Sequence, residues 1–200
     1  MRVEDEFSCF KLDLPDSDIS YYPDYLDQHM ADDFFGYFLK SDLWQQDDIR
    51  IFGKTYAQPR LTALFGNNGK SYSYSGIEMK PHPFDRKLQQ LKQALDELAK
   101  VNFTSCLMNL YRDGKDSNGW HADDEKELGI NPVIASVSLG QERIFHLRHK
   151  KRKELKKRIV LEHGSLLLMS GVTQHHWVHQ IPKSKKPMNP RINLTFRVIK

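Results

Sequence analysis

Cysteine is scarce: Cys9 and Cys106 are the two in 200 residues. Two cysteines build no disulfide framework, and neither sits in the paired spacing of a thiolate metal site, so a reducing compartment fits best. No apolar run approaches the ~18 residues that a bilayer-spanning helix needs, so no membrane partner is expected. The opening, MRVEDEFSCF, is acidic and has neither the basic region nor the apolar run of a signal peptide. The expected setting is intracellular, cytoplasmic in a bacterium and nuclear in a eukaryote. Internal repeats and Gly/Ser-rich linkers are also missing, which argues for a single domain over 1–200. What is present is a globular composition, 39% apolar with both charge signs, in a chain long enough for a substantial core.

The net charge of +4 hides an asymmetry. Residues 1–48 carry thirteen Asp/Glu against Arg2, Lys11 and Lys40, whereas residues 49–200 carry 27 Lys/Arg against thirteen Asp/Glu. A basic body suits a polyanionic partner, although such charge also serves plain solubility. The densest run is RHKKRKELKKR, residues 148–158. It lies between two apolar runs and reads as an exposed loop or short helix. Lys183, Lys185 and Lys186 form a second patch.

Periodicity divides the chain. Residues 1–29 read as an irregular, Asp- and Tyr-rich lead-in. ADDFFGYFLKSDLW has acidic residues at its start and an apolar set of Phe34, Phe35, Phe38 and Leu39, a short-helix pattern. DRKLQQLKQALDELAKV places Leu88, Leu91, Leu95 and Leu98 on one helical face, with Asp85 as its cap. Beyond residue 101 the runs FTSCLMNLY, PVIASVSLG, RIFHLRH, RIVLEHGSLLLMSG and RINLTFRVI are short and strand-like. Helices followed by many strands predict an α+β chain whose second half is a β-sandwich or barrel.

Two strand faces carry chemistry. In NGWHADDEKELG, His121 and Asp123 are two positions apart, so in extended chain they share a face. Such a pair can fill two of the three facial positions around a non-haem iron, and a distant histidine completes the set. His163, His175, His176 and His179 are the candidates for it. In RINLTFRVI, Arg191, Asn193, Thr195 and Arg197 share one face, and Ile192, Leu194, Phe196 and Val198 the other. That polar face is either the solvent side of an edge strand or a clamp for carboxylates, which arginine's planar fork of donors fits. Asn109 and Tyr111 in NLY add an amide and a phenol on one strand face.

Together these segments resemble the AlkB family of Fe(II)- and 2-oxoglutarate-dependent dioxygenases, closest to its homologue 2 subgroup. The resemblance runs from about Ile51 to Lys200 through FGK, PR, YSYSG, NLYRDG, HADDE, PVIASVSLG and PRINLTFR, in that order. It implies an α+β protein with a double-stranded β-helix (jelly roll) core, N-terminal helices and a nucleotide-recognition hairpin. An acidic lead-in with helix would occupy 1–48, substrate-recognition hairpins and a supporting helix 49–100, and the catalytic jelly roll 101–200. It implies His121, Asp123 and His179 as iron ligands, His179 because the family's last ligand lies just before a residue–Pro pair, here HQIP. Arg191 would hold the far carboxylate of 2-oxoglutarate with Asn109 and Tyr111, while Asn193, Thr195 and Arg197 line the same pocket, Arg197 nearest the metal.

With Fe(II), 2-oxoglutarate and O2, the implied reaction hydroxylates an N-alkyl carbon on a nucleobase, which then leaves as aldehyde. Lesions such as 1-methyladenine and 3-methylcytosine in DNA, duplex included, are the expected substrates. The same chemistry on RNA, or a non-catalytic nucleic-acid-binding jelly roll, are the alternatives. Asp124 and Glu125 resemble the family's base-contacting carboxylates. Tyr72, Ser73 and Tyr74 would contact or stack on a flipped base. Tyrosine at 74 stands where the subgroup often has phenylalanine. Phe52, with Gly53 for the turn and Lys54 after it, would be an apolar finger inserted in the base stack. The chain is expected to act as a monomer.

Overall fold

The computed structural model describes residues 8–51, 53–69, 72–74 and 77–200, with the backbone alone at 50, 51, 72–74, 77 and 78. Along the first half run β1 (Phe10–Lys11), β2 (Asp18–Tyr22), α1 (Gln28–Leu39), β3 (Asp48–Ile51), β4 (Lys54–Ala57), β5 (Leu61–Gly66), β6 (Tyr72–Tyr74), β7 (Ile77–Met79) and α2 (Arg86–Ala99). The second half holds β8 (Ser105–Tyr111), β9 (Asn118–His121), β10 (Ile134–Gly140), β11 (Arg143–His149), β12 (Lys156–Leu161) and β13 (Leu166–Ser170). A short helix α3 (Thr173–His176), β14 (Trp177–Ile181) and β15 (Arg191–Arg197) complete it.

A seven-stranded sheet, in the order β1-β2-β13-β10-β15-β8-β5, faces a four-stranded sheet, β12-β11-β14-β9. The strand pairings in both are antiparallel. This is the double-stranded β-helix, or jelly roll, with helices against its larger sheet. Two hairpins, β3–β4 and β6–β7, stand apart from both sheets.

Two cores follow from strand alternation. On the outer face of the large sheet, Met108, Leu110, Ile192, Leu194 and Phe196 pack against Phe34 and Phe38 of α1 and Leu88, Leu91 and Leu95 of α2. Between the sheets lie Leu107, Ile134, Phe145, Leu147, Leu161, Leu167, Met169, Trp177 and Ile181. Truncating a fully buried leucine such as Leu91 to alanine costs about 2–5 kcal/mol. Helix α2 starts where Asp85 accepts the Leu88 amide at 2.8 Å, a cap worth about 1 kcal/mol. Helix α1 begins at Gln28, ahead of the acidic residues expected to open it, because Asp27 caps the Met30 amide at 2.8 Å.

Two expectations are corrected, and one of the two readings left open for β15 is removed. The lead-in is not wholly irregular: β2 pairs with β13 from Asp18↔Ser170 to Tyr22↔Leu166. Its alternation puts Ile19 and Tyr21 into the inter-sheet core, a short pattern masked by Asp, Ser and Tyr. The basic run 148–158 is neither loop nor helix throughout, since Arg148–His149 end β11, Lys156–Arg158 begin β12, and a tight connection joins them. Strand β15 is no edge: it sits between β10 and β8, and all seven of its residues are buried. Gly140, at the end of β10, has φ +83, and a Cβ there would meet a Phe35 ring carbon at 2.5 Å and the Pro190 carbonyl at 2.6 Å. Only glycine lets β10 turn there.

Candidate active site

Among the described residues a polar cavity lies inside the jelly roll, and register explains what lines it. On β15 and β8, Arg191 pairs with Tyr111 and Asn193 with Asn109, while Thr195 faces Leu107. These side chains point between the sheets because their neighbours Ile192, Leu194, Met108 and Leu110 point to the helices. A one-residue slip would exchange the two sets, so burial of the apolar set locks the polar one inward. Strand β10 adds Ser136 opposite Thr195. From the small sheet, β9 and β14 bring His121 and His179 directly opposite each other.

His121, Asp123 and His179 offer ligand atoms that all lie within 4.8 Å of one another. His121 Nδ1 lies 2.8 Å from the Gly119 carbonyl and donates to it, so Nε2 carries the lone pair, which accepts from Asn118 Nδ2 at 3.2 Å. Asp123 Oδ2 is 3.7 Å from His179 Nε2. Asp123 Oδ1 accepts from Arg197 Nη2 at 2.6 Å, and the Asp123 amide donates to Gln174 Oε1 at 2.9 Å. Burial alone would raise the Asp123 carboxyl, but the Arg197 guanidinium and the two imidazoles outweigh it and hold its pKa at about 2. Burial, and then neighbouring His121, push His179 down to about 3, and burial lowers His121 too. At neutral pH the cluster is one carboxylate and two neutral imidazoles, the state in which all three can ligate a cation. The set suits a facial two-histidine, one-carboxylate site.

Farther along the cavity, Arg191 is 1% exposed. Its Nη2 donates to Ser138 Oγ at 2.9 Å, while Nε and Nη1 are buried without an acceptor in hydrogen-bonding geometry. Burial lowers its pKa to about 10, so it remains a cation at neutral pH. The Tyr111 ring centroid lies 5.2 Å from the Arg191 guanidinium carbon and 5.5 Å from that of Arg143. Buried donors without acceptors are costly. A carboxylate is the acceptor that matches a guanidinium's fork, so the cavity fits a small dicarboxylate reaching from the metal cluster to Arg191.

The remaining expected residues fall in several places. Asn193 donates to Ser136 Oγ at 2.8 Å and to the Val137 carbonyl at 3.1 Å; Thr195 donates to Asn193 Oδ1 at 3.0 Å. Asn109 Oδ1 accepts from Arg60 Nε at 2.7 Å. Asp124 is exposed and ion-paired to Lys150. Glu125 opens the 3₁₀ turn Lys126–Leu128. Gly53 (φ +77) and exposed Lys54 lie at the β3–β4 turn; Phe52 lies outside the described residues. Tyr72, Ser73 and Tyr74 form β6, paired with β7, and their side chains are likewise outside what is described. Of the other histidine candidates, His163 contacts Asp32 and the Gly140 amide, His175 contacts Asn131, and His176 groups with Asp16 and His149.

Residues that the sequence reading missed are Arg60, Ser136, Ser138, Arg143 and Gln174. The serines had a signal in their alternation with Ala135, Val137 and Leu139. Arg60 stood in the PR segment without a role assigned to it, and Arg143 and Gln174 had no signal, since their partners are remote in sequence.

Residues 18–197 match the 2OG-Fe(II) oxygenase superfamily, and the chain belongs to it: it is an Fe(II)- and 2-oxoglutarate-dependent oxygenase that uses O2. Within that superfamily it is of the AlkB family. It is 40% identical over 210 residues to mouse alpha-ketoglutarate-dependent dioxygenase alkB homolog 3, covering 99% of this chain and 73% of that one. It is 39% identical to the Arabidopsis thaliana DNA oxidative demethylase ALKBH2, covering 92% and 67%. Among solved structures, OsALKBH1 superposes with a TM-score of 0.67 at 16% identity, over 96% of this chain and all of that one. A prolyl hydroxylase from Trichoplax adhaerens, in complex with a hypoxia inducible factor peptide, gives 0.63 at 12%, over 90% and 83%. These two speak to the fold alone.

Proposed function

We propose that this enzyme removes alkyl groups from the nitrogens of nucleobases, such as 1-methyladenine and 3-methylcytosine, in DNA and including duplex DNA. The observation that carries the substrate class is the similarity to AlkB homologues along nearly the whole chain, one of them named as a DNA oxidative demethylase. The chain's own chemistry agrees with it. His121, Asp123 and His179 would hold Fe(II), and Arg191, with Tyr111 and Asn109, the far carboxylate of 2-oxoglutarate. Asn193 and Thr195 shape the cavity between them. Arg197 holds Asp123 in place and keeps it ionised. Iron, 2-oxoglutarate and O2 together supply the oxidation of an N-alkyl C–H bond.

The protein's part is positioning. The residues of β6, Tyr72, Ser73 and Tyr74, would contact a flipped base. Asp124 and Glu125, next to the metal cluster, would offer it acceptors. Phe52, with Gly53 and Lys54 at the β3–β4 turn, would hold the neighbouring stack open. Exposed Lys151, Lys153, Lys156, Lys157, Lys183, Lys185 and Lys186 would meet phosphates. Lys150 and Arg152 are excluded from that role because they bond Asp124 and Asp16.

Mass spectrometry of methylated oligonucleotides incubated with Fe(II) and 2-oxoglutarate tests the reading. Loss of 14 mass units, about one methylene, is expected from DNA in single and double strands. Conversion of RNA alone would move the substrate to RNA, and conversion of neither would overturn the reading.

A further inference from the structure

Asp124 follows a proposed iron ligand in sequence and is exposed, and in the dealkylation reading above it meets the target base. A bare carboxylate there would favour a base that alkylation has made cationic, because Coulomb attraction acts on that base and not on a neutral one. The carboxylate is not bare. Lys150 Nζ donates to Asp124 Oδ2 at 2.8 Å and, at the same time, to the Gln174 carbonyl at 2.8 Å. The Lys150 amide donates to the His176 carbonyl at 2.7 Å. The lysine is therefore tethered to α3 at its backbone and at its ammonium head, independently of Asp124. Gln174 is 1% exposed and itself accepts the Asp123 amide, so the same helix fixes the 123–124 segment and the cation beside it.

We propose that Lys150 sets the lesion preference of this site: by holding Asp124 in a neutral ion pair, it lets the carboxylate act as a hydrogen-bond acceptor with little net charge. The site thereby takes neutral alkylated bases as well as cationic ones. Lys150 is a positioning residue, acting on the base through Asp124. The pair is partly exposed, with side chains 30% and 49% accessible, so it adds little to stability. Its consequence lies in the difference between two substrates, which is where specificity resides. Without the ammonium, a cationic base would see an uncompensated carboxylate and a neutral base would gain nothing.

The inference rests on the base-dealkylation reading above, and one experiment separates the two. The ratio of kcat/KM for 1-methyladenine, a cationic base, to that for neutral 3-methylthymine is measured in single-stranded oligonucleotides with the iron-loaded enzyme. Lys150→Met should raise this ratio at least threefold, through KM for the cationic lesion and not through kcat. Lys150→Arg, which restores a cation, should return the ratio toward that of the original enzyme. In an Asp124→Asn background, Lys150→Met should change the ratio by less than about 1.5-fold, because the charge it would expose is gone. Equal loss on both lesions, an unchanged ratio in Lys150→Met, or the same shift with Asn at 124 would each overturn the inference while dealkylation stands. Activity on neither lesion in the unmodified enzyme would instead remove the dealkylation reading and this inference with it.

Discussion

A carboxylate enclosed by two imidazoles and a guanidinium, as Asp123 is, has been stabilised in its charged form at the expense of every other role it could take. The same holds for Arg191, whose buried Nε and Nη1 lack an acceptor in hydrogen-bonding geometry among the described residues. Residue-scale tests follow from this. His179→Ala should abolish metal binding and turnover. His176→Ala should not, because His176 lies in a separate group with Asp16 and His149. The reverse pattern by calorimetric metal titration would mean that the wrong histidine was chosen. Arg191→Met removes a charged donor pair worth about 1.5–3 kcal/mol, so 2-oxoglutarate affinity should fall about 10- to 150-fold. Unchanged affinity would unseat the carboxylate clamp. At this scale the sequence was legible where strand periodicity carried the information. His121 with Asp123, and Arg191 with Asn193, Thr195 and Arg197, are two residues apart, and the fold turns each set to one face. Choosing among four histidines needed a resemblance. Gln174 and Lys150 stayed hidden because their meaning comes from a bond across 51 or 26 residues, which no local pattern encodes.

Elements were readable to the degree that their period was clean. Helix α2 showed itself through four leucines and a cap. Strand β2 did not, because its five residues include one aliphatic side chain and its tyrosines read equally well as exposed. The β3–β4 hairpin is a different case: its described residues 53–57 are exposed and its strands join neither sheet. A segment with so little buried area can be altered without cost to the jelly roll. Flipping a base from a duplex costs a few kcal/mol of unstacking and unpairing, much of which a single strand has already lost. If the hairpin supplies a wedge, Phe52→Ala should reduce activity on methylated duplex DNA several-fold, retain most activity on the same single strand, and leave the melting temperature within about 2 °C. Equal loss on both substrates would assign Phe52 to the pocket instead, and would weaken the case for duplex repair.

On the scale of the whole molecule, the acidic and basic parts of the chain do not remain separate. Asp16 reaches across to Arg152 and His149, and Asp18 bonds Ser170 and Lys11. The acidic lead-in is stitched to the basic body at the β11–β12 connection and consumes part of its charge. What is left free differs from the count along the sequence: within 148–158, Lys150 and Arg152 are engaged, whereas Lys151, Lys153, Lys156 and Lys157 are exposed at the β11–β12 connection. If these four contact phosphates, binding to duplex DNA releases a counterion for each, and log Kd varies with log salt by about 0.9 per contact. Replacing all four with glutamine should therefore flatten the slope by at least about one unit and weaken binding at low salt, with lesion preference unchanged. Replacing Lys150 and Arg152 instead should leave the slope close to its original value, since neither charge is available to a phosphate. A slope that fell with the second pair and not with the first four would show that the internal bonds of Lys150 and Arg152 open on DNA, and that the free charge of the folded enzyme is not what the duplex meets.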